Sequence, residues 1–297
     1  MWDINMTSIY VLGAGTPTPT AQRFGSSFII KTEDNQIMLD CGPAATHKLV
    51  QAGLWPTDID HLFFTHHHFD HDIDYPCFLL CRWDQSIGNE RTLKVFGPAL
   101  TEKITNGILD EKTGLFAHDW IARVNHPLSQ KVYVNRGGTL PRNPPLVVSK
   151  DVVPGKVYTW KTWEVYAAEA KHVQPYLDSL AYRFETKSGS VVFTGDTEPC
   201  EEVTALANNA DVMFCMCWDE QEIMDDNGEN QGQCGTDGAA LMAQEAGVKK
   251  LVLVHTGPHL SQNDVREKTL GHLSNVFEGN IVFADELMSI NMSPRNA

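Results

Sequence analysis

The sequence is short of positive charge and of anything able to cross a bilayer. Against 38 Asp and Glu stand 23 Lys and Arg in 297 residues, a formal charge of −15. Such a surplus repels phosphate backbones and anionic membranes unless a local basic patch overrides it, which argues against extended nucleic acid and membranes as partners. No apolar run approaches the ~20 residues of a spanning helix, and no charged-then-apolar leader precedes the first strand. The seven Cys lack the paired spacing of a zinc site. Cys77/Cys81 and Cys215/Cys217 have helix and strand spacings and read as small apolar packing groups. Gly13 and Gly15 follow the first strand but run into Thr16-Pro17-Thr18-Pro19 rather than a helix, which excludes a dinucleotide fingerprint. These absences lead us to expect a soluble protein of the reducing cytoplasm. Its 42% hydrophobic content is enough for a large core.

What is present is concentrated in one stretch, Thr65-His66-His67-His68-Phe69-Asp70-His71-Asp72. Four imidazoles and two carboxylates fall within seven positions at the end of the apolar run Ile59–Phe64. Packing does not account for that density, because burying these groups forfeits their hydration. Imidazole nitrogens and carboxylate oxygens are the usual ligands of zinc and similar ions. On an extended strand end His66 and His68 point to one side and His67 to the other. A chain that then curls back brings Asp70 and His71 to a second position.

His66-x-His68-x-Asp70-His71 resembles the signature of the metallo-β-lactamase-fold superfamily, whose other marks follow in order. His172 stands after Trp163–Ala168, Gly195-Asp196-Thr197 after the strand Ser190–Thr194, and His255 at the end of Leu251–Val254. The resemblance implies an α/β (α+β) fold, a four-layer αββα sandwich of two mixed sheets flanked by helices. By the same carry-over His66, His68 and His172 hold one metal, Asp70, His71 and His255 a second, and Asp196 bridges both. The ligand types favour two Zn2+, with iron or manganese as alternatives. Because these residues must converge, residues 1–297 read as one domain. A segment at about 113–154, broken by Gly137-Gly138, Pro141 and Pro144-Pro145, reads as an irregular insert or lid and as the place for a homodimer contact. His118 and His126 within it read as surface or packing residues, an intersubunit metal site being the alternative.

The first seventy residues resemble the ribonuclease Z branch, through Leu12-Gly13, Pro19-Thr20 to Arg23, Ser26-Ser27 and Leu39-Asp40-Cys41-Gly42. Asp40 reads either as the carboxylate that orients a ligand His or as a strand-end turn residue. Later the patterns part. Cys217-Trp218-Asp219-Glu220 stands where that branch has a His-Glu-Ala-Thr-like motif, and Cys234-Gly235-Thr236 where it has His-Ser-Thr. Only 23 residues separate His172 from Asp196, where the branch carries its tRNA-gripping arm.

A hydroxide held between two metals would attack a carbon or phosphorus centre. Asp70 then reads as a catalytic group as well as a ligand, His259 as a proton donor or rim residue, and Trp218 as an aromatic wall or a core residue. The reading is a zinc-dependent hydrolase of a small or medium ester, lactone, phosphodiester, sulfate ester or aryl halide. The alternatives are a ribonuclease Z-type phosphodiesterase processing tRNA 3′ ends, and a non-catalytic or redox di-iron metal-binding protein.

Overall fold

The strands sort by apolar pattern into two sheets. In the computed structural model, which describes residues 6–292, the chain opens with β1 (Thr7–Ala14), β2 (Ser26–Lys31), β3 (Gln36–Leu39) and α1 (Ala45–Gln51). Then come β4 (Ile59–Phe63), α2 (Phe69–Asp72), α3 (Tyr75–Gln85), β5 (Leu93–Gly97), α4 (Thr101–Leu109), α5 (Ala117–Asn125), α6 (Pro127–Asn135) and β6 (Val147–Asp151). The second half holds β7 (Gly155–Thr159), β8 (Trp163–Glu169), β9 (Leu180–Thr186), β10 (Gly189–Phe193), α7 (Glu201–Leu206), β11 (Val212–Met216) and α8 (Gln221–Asn227). It ends with α9 (Thr236–Glu245), β12 (Lys250–Val254), α10 (Asn263–Leu273), β13 (Asn280–Phe283) and β14 (Ser289–Met292).

One sheet has the order β14-β1-β2-β3-β4-β5-β6 and the other β13-β12-β11-β10-β9-β8-β7. Each changes from antiparallel to parallel pairing part-way, after β3 in the first and after β10 in the second. Alternation along β11 shows how the layers form. Val212 and Phe214 face the space between the sheets, where Phe214 stacks on Phe193 at 4.6 Å between centroids. Met213 and Cys215 face the opposite way, toward Ala239, Ala240 and Ala243 of α9. A matching outer core packs Leu49, Phe78 and Leu79 of α1 and α3 against Ile29, Met38 and Leu62. The αββα sandwich expected from the resemblance is the one found.

Several elements differ from the sequence expectation. Residues 157–168 fall in the hairpin β7–β8, closed where Trp160 N–H donates to Trp163 C=O at 2.8 Å. Its turn, Lys161-Thr162, lacks the Gly, Asn or Pro that would have marked it. The segment expected to be irregular, 113–154, contains α5, α6 and β6. Trp120 on α5 packs on Trp83, which supplies the apolar face that its breakers concealed. Thr236, the first residue of α9, accepts through Oγ1 from Gln221 N–H at 3.0 Å, which ties down the start of α8. Cys215 and Cys217 are fully buried as apolar groups, whereas Cys77 is exposed.

Candidate metal centre

The ends of the central strands meet at one edge of the sandwich, the usual place for a site in sheets with parallel strands. Asp40 follows β3, Thr65 and the His-rich stretch follow β4, Asp196 follows β10, Trp218 follows β11 and His255 follows β12. After His68 the chain turns into α2, a single helical turn whose His71 N–H donates to His68 C=O at 2.9 Å. That turn places Asp70 and His71 in a second group of donors, with the His71 ring still 4.1 Å from that of His66. His67 points elsewhere, its ring nitrogens 3.2 Å from Asp72 Oδ2 and 2.8 Å from Thr101 Oγ1.

The side chains of this edge gather into two groups, His66, His68, His172 and Asp196 in one and Asp70, His71 and His255 in the other. Within each group the ligand-type atoms lie within 4.8 Å of one another. His68 Nδ1 lies 3.1 Å from His66 Nε2 and 3.2 Å from His172 Nε2. Donors around a tetrahedral zinc with bonds of ~2.0–2.1 Å stand about 3.3 Å apart, so His68 Nδ1 already has a cation's spacing from each of the other two nitrogens. Asp196 spans the groups, with Oδ1 3.5 Å from His71 Nε2 and Oδ2 3.1 Å from His255 Nε2 and 3.8 Å from His172 Nε2. Asp70 Oδ2 stands 3.2 Å from His255 Nε2. Asp70 Oδ1, His71 Nε2 and Asp196 Oδ1 are buried with no hydrogen-bond partner among the described residues. Orphaned polar atoms are rare inside proteins, and a divalent cation satisfies these at once. The residues fit a metal.

Partners behind the donors fix which atom faces the centre. His71 Nδ1 lies 2.8 Å from Asp40 Oδ2, leaving Nε2 for the site. Asp40 also accepts Thr65 N–H at 2.8 Å and Thr65 O–H at 2.9 Å. His172 Nδ1 donates to Gly232 C=O at 2.6 Å, again leaving Nε2 inward. Gly232 has φ +71°, and a Cβ there would come within 2.1 Å of His172 C=O. Two residues at this edge adopt left-handed backbone without being glycine, Asp40 at φ 55° and His255 at φ 53°. Strain of this kind gathers where surrounding structure overrides local preference.

Charges in the metal-free site push in opposite directions. Burial, reinforced by neighbouring His71, lowers His66 well below the usual imidazole range, and burial with His172 lowers His68. For His71 burial pulls down, but the carboxylates of Asp196, Asp40 and Asp70 outweigh it and hold the ring protonated well above that range. Burial would raise Asp196, yet His255, His71 and His66 bring it well below ordinary carboxylate values. Asp70 is lowered in the same manner, by His71 and His255 against burial.

Every sequence-derived ligand thus lies at this edge. Trp218 is half-buried, its ring 6.2 Å from that of His255. His259 Nδ1 lies 2.7 Å from Asp219 Oδ1. His118 and His126 are exposed and fall in neither donor group. Sequence reasoning missed Gly232, whose carbonyl orients His172 and whose N–H donates to Glu198 Oε2 at 2.8 Å. Its position in a Gly-rich loop was the only sequence signal. It also missed Phe69 and Tyr176, exposed aromatics on the segments carrying Asp70 and His172.

Comparison with known proteins agrees with this architecture. A beta-lactamase superfamily domain model matches residues 121–256, and the model of the anti-Pycsar protein Apyc1 matches residues 7–73. Ribonuclease Z of Mycobacterium sp. (strain KMS) is 26% identical, with 97% of each chain covered. The metallo-beta-lactamase fold protein YhfI from Bacillus subtilis superposes with a TM-score of 0.73 at 19% identity, covering 97% of this chain and all of its own. A diphosphatase from the PhnP family superposes with a TM-score of 0.69 at 14% identity, covering 97% and 98% of the two chains.

Proposed function

We propose that the chain is a metal-dependent hydrolase of the metallo-β-lactamase superfamily, close to its ribonuclease Z-like branch, and that it hydrolyses a small phosphodiester. The observation that carries this reading is the pair of facing donor groups joined by Asp196. The full-length likeness to a ribonuclease favours phosphorus over the ester, lactone, sulfate and aryl-halide substrates that the sequence left open.

His66, His68 and His172 would hold one ion, Asp70, His71 and His255 another, with Asp196 shared. The donor set suits zinc, with iron or manganese as alternatives. Bound metal supplies an activated water and neutralises charge that develops on phosphoryl oxygens. The side chains do the rest. The Asp70 carboxylate, whose Oδ1 has no partner among the described residues, would hold metal through one oxygen and accept a hydrogen bond from the attacking water through the other. His259, with Nδ1 held by Asp219, keeps Nε2 available to hand a proton to the leaving oxygen. Trp218, Phe69 and Tyr176 offer aromatic faces for an organic group such as a nucleobase.

A small substrate is favoured over a structured RNA by what surrounds the site. Between His172 and Asp196 the chain forms only a short loop and the strands β9 and β10, with no inserted arm. The arginines of the 131–161 segment do not line up as a basic strip, since Arg136 and Arg142 both reach Asp84. Exposed Leu128 and Val132, one turn apart on α6, support a homodimer through that segment. Processing of tRNA 3′ ends remains the second reading, favoured by the ribonuclease Z relative. A panel of bis(p-nitrophenyl) phosphate, cyclic nucleotides, p-nitrophenyl acetate and a tRNA precursor decides between them. Turnover of the small diesters alone is the expected result, and cleavage confined to the tRNA precursor would reverse the choice.

A further inference from the structure

His255 sits on a loop that is gripped at both ends by one exposed carboxylate acting through two buried arginines. The loop leaves β12 at His255, whose φ of 53° lies in the left-handed region. At its start Thr256 N–H donates to Ala14 C=O at 3.1 Å, and Thr256 Oγ1 accepts from Arg23 Nη1 at 3.1 Å. At its far end Leu260 C=O accepts from Arg266 Nε at 2.7 Å. Both guanidinium groups then converge on Asp285 Oδ1, Arg266 at 2.8 Å and Arg23 in direct contact. Arg23 and Arg266 are 4% and 9% exposed, while the Asp285 side chain is 68% exposed. The adjacent Glu286 fastens the other side, accepting Phe24 N–H at 2.8 Å and pairing with Lys48 at 2.7 Å.

We infer that Asp285 is a positioning residue for the metal centre, acting through Arg23 and Arg266 on the loop that presents His255. The inference rests on the proposed role of His255 as a ligand of the second donor group. Two guanidiniums so close repel each other, and only a shared anion keeps both turned onto the loop. With the carboxylate neutralised, Arg23 has no charge to hold it against Thr256. The strained His255 backbone is then free to relax away from Asp70 and His71. None of these contacts touches His66, His68 or His172, and His255 meets their group only through the shared Asp196, 3.1 Å from its Nε2, so the second equivalent takes most of the effect.

The test is stepwise metal binding by the full-length protein, followed by chelator competition with Zn2+ and by the visible spectrum with Co2+. Partners that orient a ligand directly change metal affinity by about 10–100-fold, and Asp285 acts further out, through Arg23 and Thr256, so D285N should weaken the second equivalent by about tenfold, the low end of that range. The first equivalent should stay within about twofold, and D285E should restore most of the loss. His255→Ala serves as the reference. If H255A loses the second equivalent while D285N binds both normally, the clamp inference is wrong and the ligand assignment stands. If H255A keeps both equivalents, the ligand assignment itself fails and takes the inference with it. Parallel weakening of both equivalents in D285N, with an equal fall in thermal stability of the metal-free protein, would mean a general structural role and also overturn it.

Discussion

Replacing Asp40 by Asn tests whether the residues behind the ligands set the metal centre. The side chain is almost fully buried and every contact it makes is as an acceptor. Oδ1 takes Thr65 N–H at 2.8 Å, and Oδ2 faces His71 Nδ1 at 2.8 Å and Ser26 Oγ at 3.4 Å. An amide of the same shape cannot serve both sides. With its NH2 toward Thr65 N–H, two obligate donors oppose each other. With its NH2 toward His71, Nδ1 must become the acceptor, which moves the ring proton to Nε2, the atom that faces the site. The first outcome leaves Thr65 N–H, at the root of the His-rich stretch, without its acceptor, and the second removes His71 as a neutral ligand in the required tautomer. The expected loss in metal affinity is about 10–100-fold, equivalent to ~1.4–2.7 kcal/mol. In the metal-free protein the unmatched buried donor costs ~1–3 kcal/mol of stability. Chelator competition measures the first quantity and urea unfolding in EDTA the second. An Asn variant with metal affinity within about twofold of the parent and an unchanged unfolding midpoint would refute the reasoning.

Two further outcomes follow from other parts of the structure. Gly232→Ala combines a left-handed backbone with a Cβ 2.1 Å from His172 C=O, so it should displace His172 and weaken the first metal equivalent while sparing the second, as read by the same titration. His61, packed among Tyr158, Trp160 and Trp163, is lowered to about 3 by burial and then by Lys94 and Arg82. Its folded value lies below the unfolded one of ~6.5, so its contribution is complete above pH 6.5 and is lost as pH falls toward 3. At pH 5 the loss is about 2 kcal/mol, and His61→Gln should lack that slope when both proteins are unfolded in the presence of chelator.

The parts of this molecule that were legible in the sequence are those where one residue type serves one purpose. A cluster such as His66-x-His68-x-Asp70-His71 has no use in packing, so it announces its chemistry, and His172, Asp196 and His255 gain meaning from their order behind it. The buried strands were legible because alternation along a segment like Val212–Met216 reflects two apolar surroundings. What stayed hidden depends on partners distant in the chain. The carbonyl of Gly232 orients a histidine 60 residues away, and Asp285 meets an arginine 262 residues away. A backbone carbonyl carries no sequence signal, and an Asp at a strand end looks like any turn residue. The β7–β8 hairpin was missed for a related reason, since a turn closed by Trp160 and Trp163 borrows its stability from the aromatic cluster around His61 rather than from turn chemistry.

The most direct measurement is the metal content of the purified protein together with its rate on bis(p-nitrophenyl) phosphate, in the parent and in His68→Ala. Two equivalents of metal per chain and measurable diester hydrolysis are expected in the parent. In the variant, loss of the equivalent held by His66, His68 and His172 is expected, with hydrolysis abolished. A parent protein that binds no stoichiometric metal, or a His68→Ala variant that keeps both its metal and its rate, would contradict it.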